Sequence, residues 1–110
     1  MEKRDEKIDL ICRVAEDKLA QDIKVIPIDA SLGFVDHFII MTGRNHNHTQ
    51  ALADYIDEEL SKQGMPAESV EGFREGHWIL MDCGDVLVHI FTKDQREYYG
   101  LEDLWKEREK

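Results

Sequence analysis

No stretch of this 110-residue chain approaches the roughly 20 apolar residues that crossing a bilayer takes. Nor does Met1-Glu2-Lys3-Arg4-Asp5-Glu6-Lys7 contain the apolar run of a secretory leader. These absences predict a cytoplasmic protein with no membrane partner. Cysteine is scarce as well: Cys12 and Cys83 alone are too few and too far apart for a disulfide framework. That agrees with a reducing compartment, and both read as buried thiols. Basic residues are outnumbered, 14 against 24 acidic ones, for a formal charge of −10. A protein that grips RNA or DNA replaces the counterions around phosphates with Lys and Arg, so this balance argues against direct nucleic-acid binding. It favours a basic protein partner, whose encounter the same field accelerates at low salt.

The usual signatures of catalysis are missing too. Ser31, Ser61 and Ser69 lack a Gly-x-Ser-x-Gly context, and neither cysteine has a histidine close by in sequence. A phosphate-gripping loop would set glycines ahead of a helix. The chain offers only Thr42-Gly43-Arg44, which reads equally as a strand end turning into a helix. Histidines 46, 48, 77 and 89, with Asp82 and Asp85, supply metal-donor types. However, His46-Asn47-His48 is not ligand spacing, there is no Cys-x-x-Cys, and the two aspartates bracket a glycine turn where aspartate caps local amides. The expectation is no catalytic residue, no metal and no cofactor.

What is present is periodicity. Ile8, Ile11, Ala15 and Leu19, with Cys12 and Val14 beside them, recur at three- and four-residue steps and predict an amphipathic helix over 8–19. Residues 22–28 follow as a strand that ends at Pro27 or lies at an edge, since proline has no amide proton to donate. Asp29 and Ser31 begin a turn. Residues 36–42 are apolar almost throughout, as a central strand covered on both faces would be. A second helix spans 45–63, capped by Asn45 or Asn47, with Leu52, Ile56 and Leu60 as its buried stripe; Gly64 ends it and Pro66 prevents continuation. A short strand over 68–73 leads through Arg74-Glu75-Gly76 into a hairpin, 77–82 and 86–91, reversed by Cys83-Gly84-Asp85. Thr92 and Gln95 have capping-box spacing and open a last helix stopped by Gly100, followed by a turn carrying Leu101, Leu104 and Trp105. The charged residues 106–110 read as a frayed tail. The order helix, two strands, helix, three strands, helix predicts an α/β domain spanning 1–110, with helices packed on a mixed five-stranded sheet.

In the hairpin, alternation sets Trp78, Leu80 and Asp82 on one face and Ile79 and Met81 on the other. An outward Trp78 face would offer an aromatic anchor, a leucine and carboxylates, which is the make-up of a protein interface. An inward one would make Trp78 core. Pattern alone leaves both readings open, and it leaves His89, Tyr98, Tyr99 and Trp105 divided in the same way between core and contact surface.

Val70-Glu71-Gly72, then the run from Gly76 to Phe91, GHWILMDCGDVLVHIF, resembles the signature of the ribosomal silencing factor (Iojap) family. Asp36 to Gly43, His48 on the second helix, and Arg96 to Trp105 resemble its other motifs in order, so the similarity covers roughly residues 8–105. Cys83 stands where a tyrosine is frequent and Gly100 where an asparagine is common. The resemblance implies a nucleotidyltransferase-like fold without the catalytic aspartates, and the chain has no Asp-x-Asp. It implies a homodimer when free that binds large-subunit ribosomal protein fourteen. Docked there, it would sterically block association of the small and large subunits, repressing translation under nutrient limitation; the family is also linked to large-subunit assembly. It carries Trp78, Leu80, Asp82, His89 and Tyr99 over as partner-binding residues and favours the outward Trp78. A degenerate or metal-dependent nucleotidyltransferase or hydrolase is the competing reading, and a dimeric assembly scaffold the third. Bound zinc or manganese, with turnover lost on changing Asp82 or His89, would favour the former.

Overall fold

The computed structural model describes residues 3–28 and 35–100. Helix α1 runs Lys3–Asp17, strand β1 Gln21–Pro27, β2 His37–Gly43, helix α2 His46–Lys62, β3 Ser69–Glu71, β4 Trp78–Asp82, β5 Val86–Thr92 and helix α3 Lys93–Tyr99. The expected turn at Asp29 and Ser31 and the closing turn through Leu101, Leu104 and Trp105 lie outside the described residues.

The five strands form one mixed sheet in the order β1-β2-β5-β4-β3. β2 and β5 are parallel and every other pair is antiparallel. Interior strands covered on two sides read as near-continuous apolar runs. Accordingly, Phe38 to Gly43 of β2 are all buried, as are Val86 and residues 88–91 of β5. Pro27 closes β1 opposite His37 at the sheet edge, where its missing N–H breaks no inner ladder.

α1 and α2 pack together on one face. Ile11, Ala15, Leu52, Ile56 and Leu60 meet Ile39, Met41, Ile79, Met81, Val86, Val88 and Ile90 there, the described core of that side. Asn45 is the cap of α2, its Oδ1 accepting the His48 N–H at 2.9 Å. The opposite face holds a smaller cluster of Ile26, Phe38, Ile40 and Phe91, with Trp78 and Leu87 against it. α3 belongs to this side: buried Arg96 reaches down from it to the Thr42 hydroxyl at 2.7 Å and the Asp22 carbonyl at 2.8 Å.

Three expectations need correcting. Leu19 is not part of the buried stripe of α1; it is 64% exposed at φ 68°. The helix stops at Asp17, with Leu19 donating to Glu16 O and Ala20 to Ala15 O, the paired bonds of a Schellman close that usually puts glycine in Leu19's place. α2 closes in the same way through Gly64. Second, Thr92 precedes α3 but its side chain makes no capping bond. Its backbone still lies in sheet register with Gly43 and donates to His77 O, so the strand delivers the chain into the helix. Third, Cys12 is only half-buried, whereas Cys83 is 2% exposed. Burial pushes the Cys83 thiol up to about 12 and also raises that of Cys12, so both are held protonated.

Candidate partner-binding site

Strand pleating decides which side chains share a surface. The registers put Trp78 beside Phe91, Leu80 between His89 and Glu71, and Asp82 between Leu87 and Ser69. The partners of Trp78, Leu80 and Asp82 therefore belong to the face away from α1 and α2. Four of the five expected contact residues, Trp78, Leu80, Asp82 and His89, lie on this face, and Tyr99 joins them from α3, its ring 4.7 Å from that of Trp78.

Their exposures differ. Tyr99 is exposed; Trp78, Leu80 and Asp82 are half-buried; His89 is 4% exposed. Trp78 combines the two readings that pattern left open. One side of its indole is stacked on Phe91 with centroids 5.0 Å apart, and part of the ring remains accessible. Its Nε1–H donates to Nδ1 of His89 at 3.1 Å. His89 lies under this aromatic tier, 4.6 Å from the Phe38 ring. Burial pushes its imidazole down to about 4, so it is neutral at ordinary pH. His89 thus supports Trp78 from below.

Asp82 is oriented by the hairpin turn. Its Oδ1 accepts the Gly84 N–H at 3.0 Å, while Gly84 takes φ 84°, a conformation that costs glycine little. The turn is tied to α1 by Lys7, whose Nζ donates to Cys83 O at 2.7 Å and faces Asp85 at 3.3 Å. Gly72 ends β3 where an added Cβ would lie 2.2 Å from the Trp78 carbonyl. Only a residue without a side chain lets the chain cross the start of β4 there.

Glu71, which sequence reasoning did not single out, stands opposite Leu80 on the same face, so Leu80 is flanked by Glu71 in its own row and by Asp82 two residues along β4. Tyr98, left undecided, is 79% exposed and packs edge-on against Tyr99. Period-two alternation in β3 carries the signal for Glu71, but a strand of three residues is too short for that pattern to stand out.

The remaining histidines do not converge on this surface. His48 accepts the Arg44 N–H on Nδ1 at 2.9 Å and donates from Nε2 to Lys18 O at 2.8 Å, which ties the end of α1 to the start of α2. His46 packs under Gly76, and Thr49 bridges the carbonyls of both with one hydroxyl. Among the described residues no group of three or more His, Cys, Asp or Glu side chains is placed to hold a metal ion, and no helix is long and apolar enough to cross a membrane.

Comparison with known proteins is consistent across the chain. The family described as "Ribosomal silencing factor during starvation" matches residues 1–110. The chain is 40% identical over 90 residues to the ribosomal silencing factor RsfS of Bacillus subtilis, covering 82% of this chain and 76% of that protein. A crystal structure of a Chromobacterium violaceum protein superposes with a TM-score of 0.86 at 32% identity, covering 96% of this chain and 88% of that one. A mouse protein named for mitochondrial assembly of the ribosomal large subunit is 29% identical over 101 residues, 89% of this chain and 44% of its own length.

Proposed function

Because the chain belongs to the ribosomal silencing factor family, we propose that it docks its Trp78 face on large-subunit ribosomal protein fourteen and so keeps the small subunit from joining. Translation is thereby repressed under nutrient limitation, in the cytoplasm, by occupancy and without turnover. The chain acts as one domain. Its relation to the nucleotidyltransferase fold is one of architecture alone, because function resides in a site and not in a fold. When free it pairs with a second copy of itself. The ribosome is the partner that the name of the Bacillus subtilis relative points to, and the large subunit the one that the name of the mouse relative points to.

The observation that carries this reading is the half-buried Trp78 with Tyr99 beside it and the Glu71, Leu80 and Asp82 group next to it on the same face. Aromatic anchors seated in a packed surround contribute most of the free energy at protein interfaces, and the carboxylates suit a basic partner. The overall charge of −10 acts in the same direction, drawing a basic protein while repelling bare RNA.

Sedimentation tests it. Purified protein mixed with separated subunits is expected to travel with the large subunit, and Trp78→Ala to weaken that association by about 2 kcal/mol or more. Native protein that stays at the top of the gradient at low ionic strength would end the proposal.

A further inference from the structure

Resting on the reading that the Trp78 face docks a partner, we propose that His89 is the positioning residue of that face: it touches no partner, and it holds the Trp78 indole in its docking orientation.

Two rings pack against Trp78 from adjacent sides, their own centroids 6.4 Å apart. Phe91 stacks on it at 5.0 Å and 28°, and Tyr99 leans on it at 4.7 Å and 49°. Contacts of this kind constrain the plane of an indole far better than its rotation within that plane, because dispersion and apolar burial have little direction. The 3.1 Å hydrogen bond from Nε1 to His89 Nδ1 supplies the missing direction. Two side chains from neighbouring antiparallel strands are joined by it, one step off the direct pairing of Trp78 with Phe91 and Leu80 with His89.

The chemistry of the bond is one-way. An indole N–H is a donor only, so His89 must present a lone pair at Nδ1. A neutral imidazole has one lone pair and one proton, so the proton resides on Nε2. That atom is buried and has no hydrogen-bond partner among the described residues. An enclosed donor left unpaired costs free energy that a leucine or phenylalanine at position 89 would not incur. Leu87 and Phe91, the neighbours of His89 on the same strand face, are apolar, so the surround does not call for a polar residue. What an apolar side chain could not provide is the acceptor for Trp78. At 4% exposure, beneath the rings of Phe38, Trp78 and Phe91, the imidazole is out of reach of anything docking above it.

Pre-orientation of an anchor tightens binding by removing the entropy lost when a side chain is immobilised on contact. His89→Leu keeps the packing and removes the acceptor. It is expected to weaken association with isolated large subunits roughly three- to tenfold and to move the Trp78 indole N–H resonance. His89→Asn, whose carbonyl oxygen can occupy the place of Nδ1, should restore both. In nitrogen-15-labelled native protein, Nδ1 should be unprotonated and Nε2 protonated. The proposal is overturned by a protonated Nδ1, or by a Leu variant that binds as tightly as the native protein with its indole resonance unmoved. If the Leu variant fails to fold, His89→Gln replaces it, since its carbonyl reaches towards Nε2 and not Nδ1. Native protein that ignores large subunits would overturn the docking reading instead, and the indole resonances of the variants would still decide whether His89 orients Trp78.

Discussion

The two faces of the sheet are built from the same strands by the same alternation, yet they end up as different kinds of surface. Under α1 and α2, Ile79, Met81, Val88 and Ile90 are fully enclosed by aliphatic neighbours. On the far side, Trp78, Leu80, Asp82 and His89 alternate with them residue by residue, half-exposed or polar, in a tier of rings. Enclosure by two helices permits only apolar volume, because a polar atom there would lose water and gain no partner. On the far face His89 accepts from Trp78, and half-exposed Asp82 caps its own turn. Folding accounts for the first face, whereas the second carries chemistry that folding alone does not require.

The largest effect separating the faces should come from neighbours on β4. Ile79→Ala opens a cavity in the enclosed core and is expected to cost roughly 2–5 kcal/mol of stability. Trp78→Ala, half-exposed beforehand, should lower the unfolding midpoint less while abolishing more of the binding. Chemical denaturation of both variants checks this, and a reversed order would mean that the far face is as much core as the near one.

Next comes pH. His89 is neutral in the folded protein down to about 4, against 6.5 for an unperturbed imidazole. Above 6.5 neither state carries the proton. As pH falls from 6.5 towards 4, the unfolded chain takes up a proton that the folded protein refuses, so stability declines across that window. The decline from this group is on the order of 3 kcal/mol. His89→Asn should remove that component, seen as a shallower loss of stability in urea unfolding over the same range. Parallel curves for the two proteins would contradict a buried neutral imidazole.

The smallest effect concerns the closed side. Leu19 lies in the stripe of α1 by spacing but in the left-handed region by conformation. Leu19→Gly is expected to stabilise the protein by about 1 kcal/mol, since a non-glycine residue there stores strain of that order. Thermal unfolding would show the gain, and a loss would mean that the exposed leucine has contacts worth more than its strain.

Much of this was legible beforehand, element by element. The alternation in the hairpin assigned Ile79 and Met81 to one face and Trp78, Leu80 and Asp82 to the other, and the registers agree. Gly64 and Gly100 marked the ends of their helices, each in a left-handed conformation. The misses share a cause. Leu19 and Thr92 have the local spacing of a buried stripe and of a cap, and at both positions the next element overrides it. The chain must leave α1 to reach the sheet edge, and Thr92 is held in the ladder by Gly43. Glu71, part of the Val70-Glu71-Gly72 motif, carries no contact-surface signal of its own, because its strand is only three residues long and gains its meaning from Leu80 across the ladder.

Composition and pattern by themselves determined the acidic charge, the helix and strand types and the two-faced hairpin, since these depend on residues within a few positions of one another. Tertiary structure alone decided that His89 accepts from Trp78, that Tyr99 arrives from another element to brace the same ring, and that His48 spans two helices. Such contacts join residues 11, 21 and 30 positions apart. Hydrogen-bond geometry is set to tenths of an ångström by the packing of whole elements, which no local periodicity records.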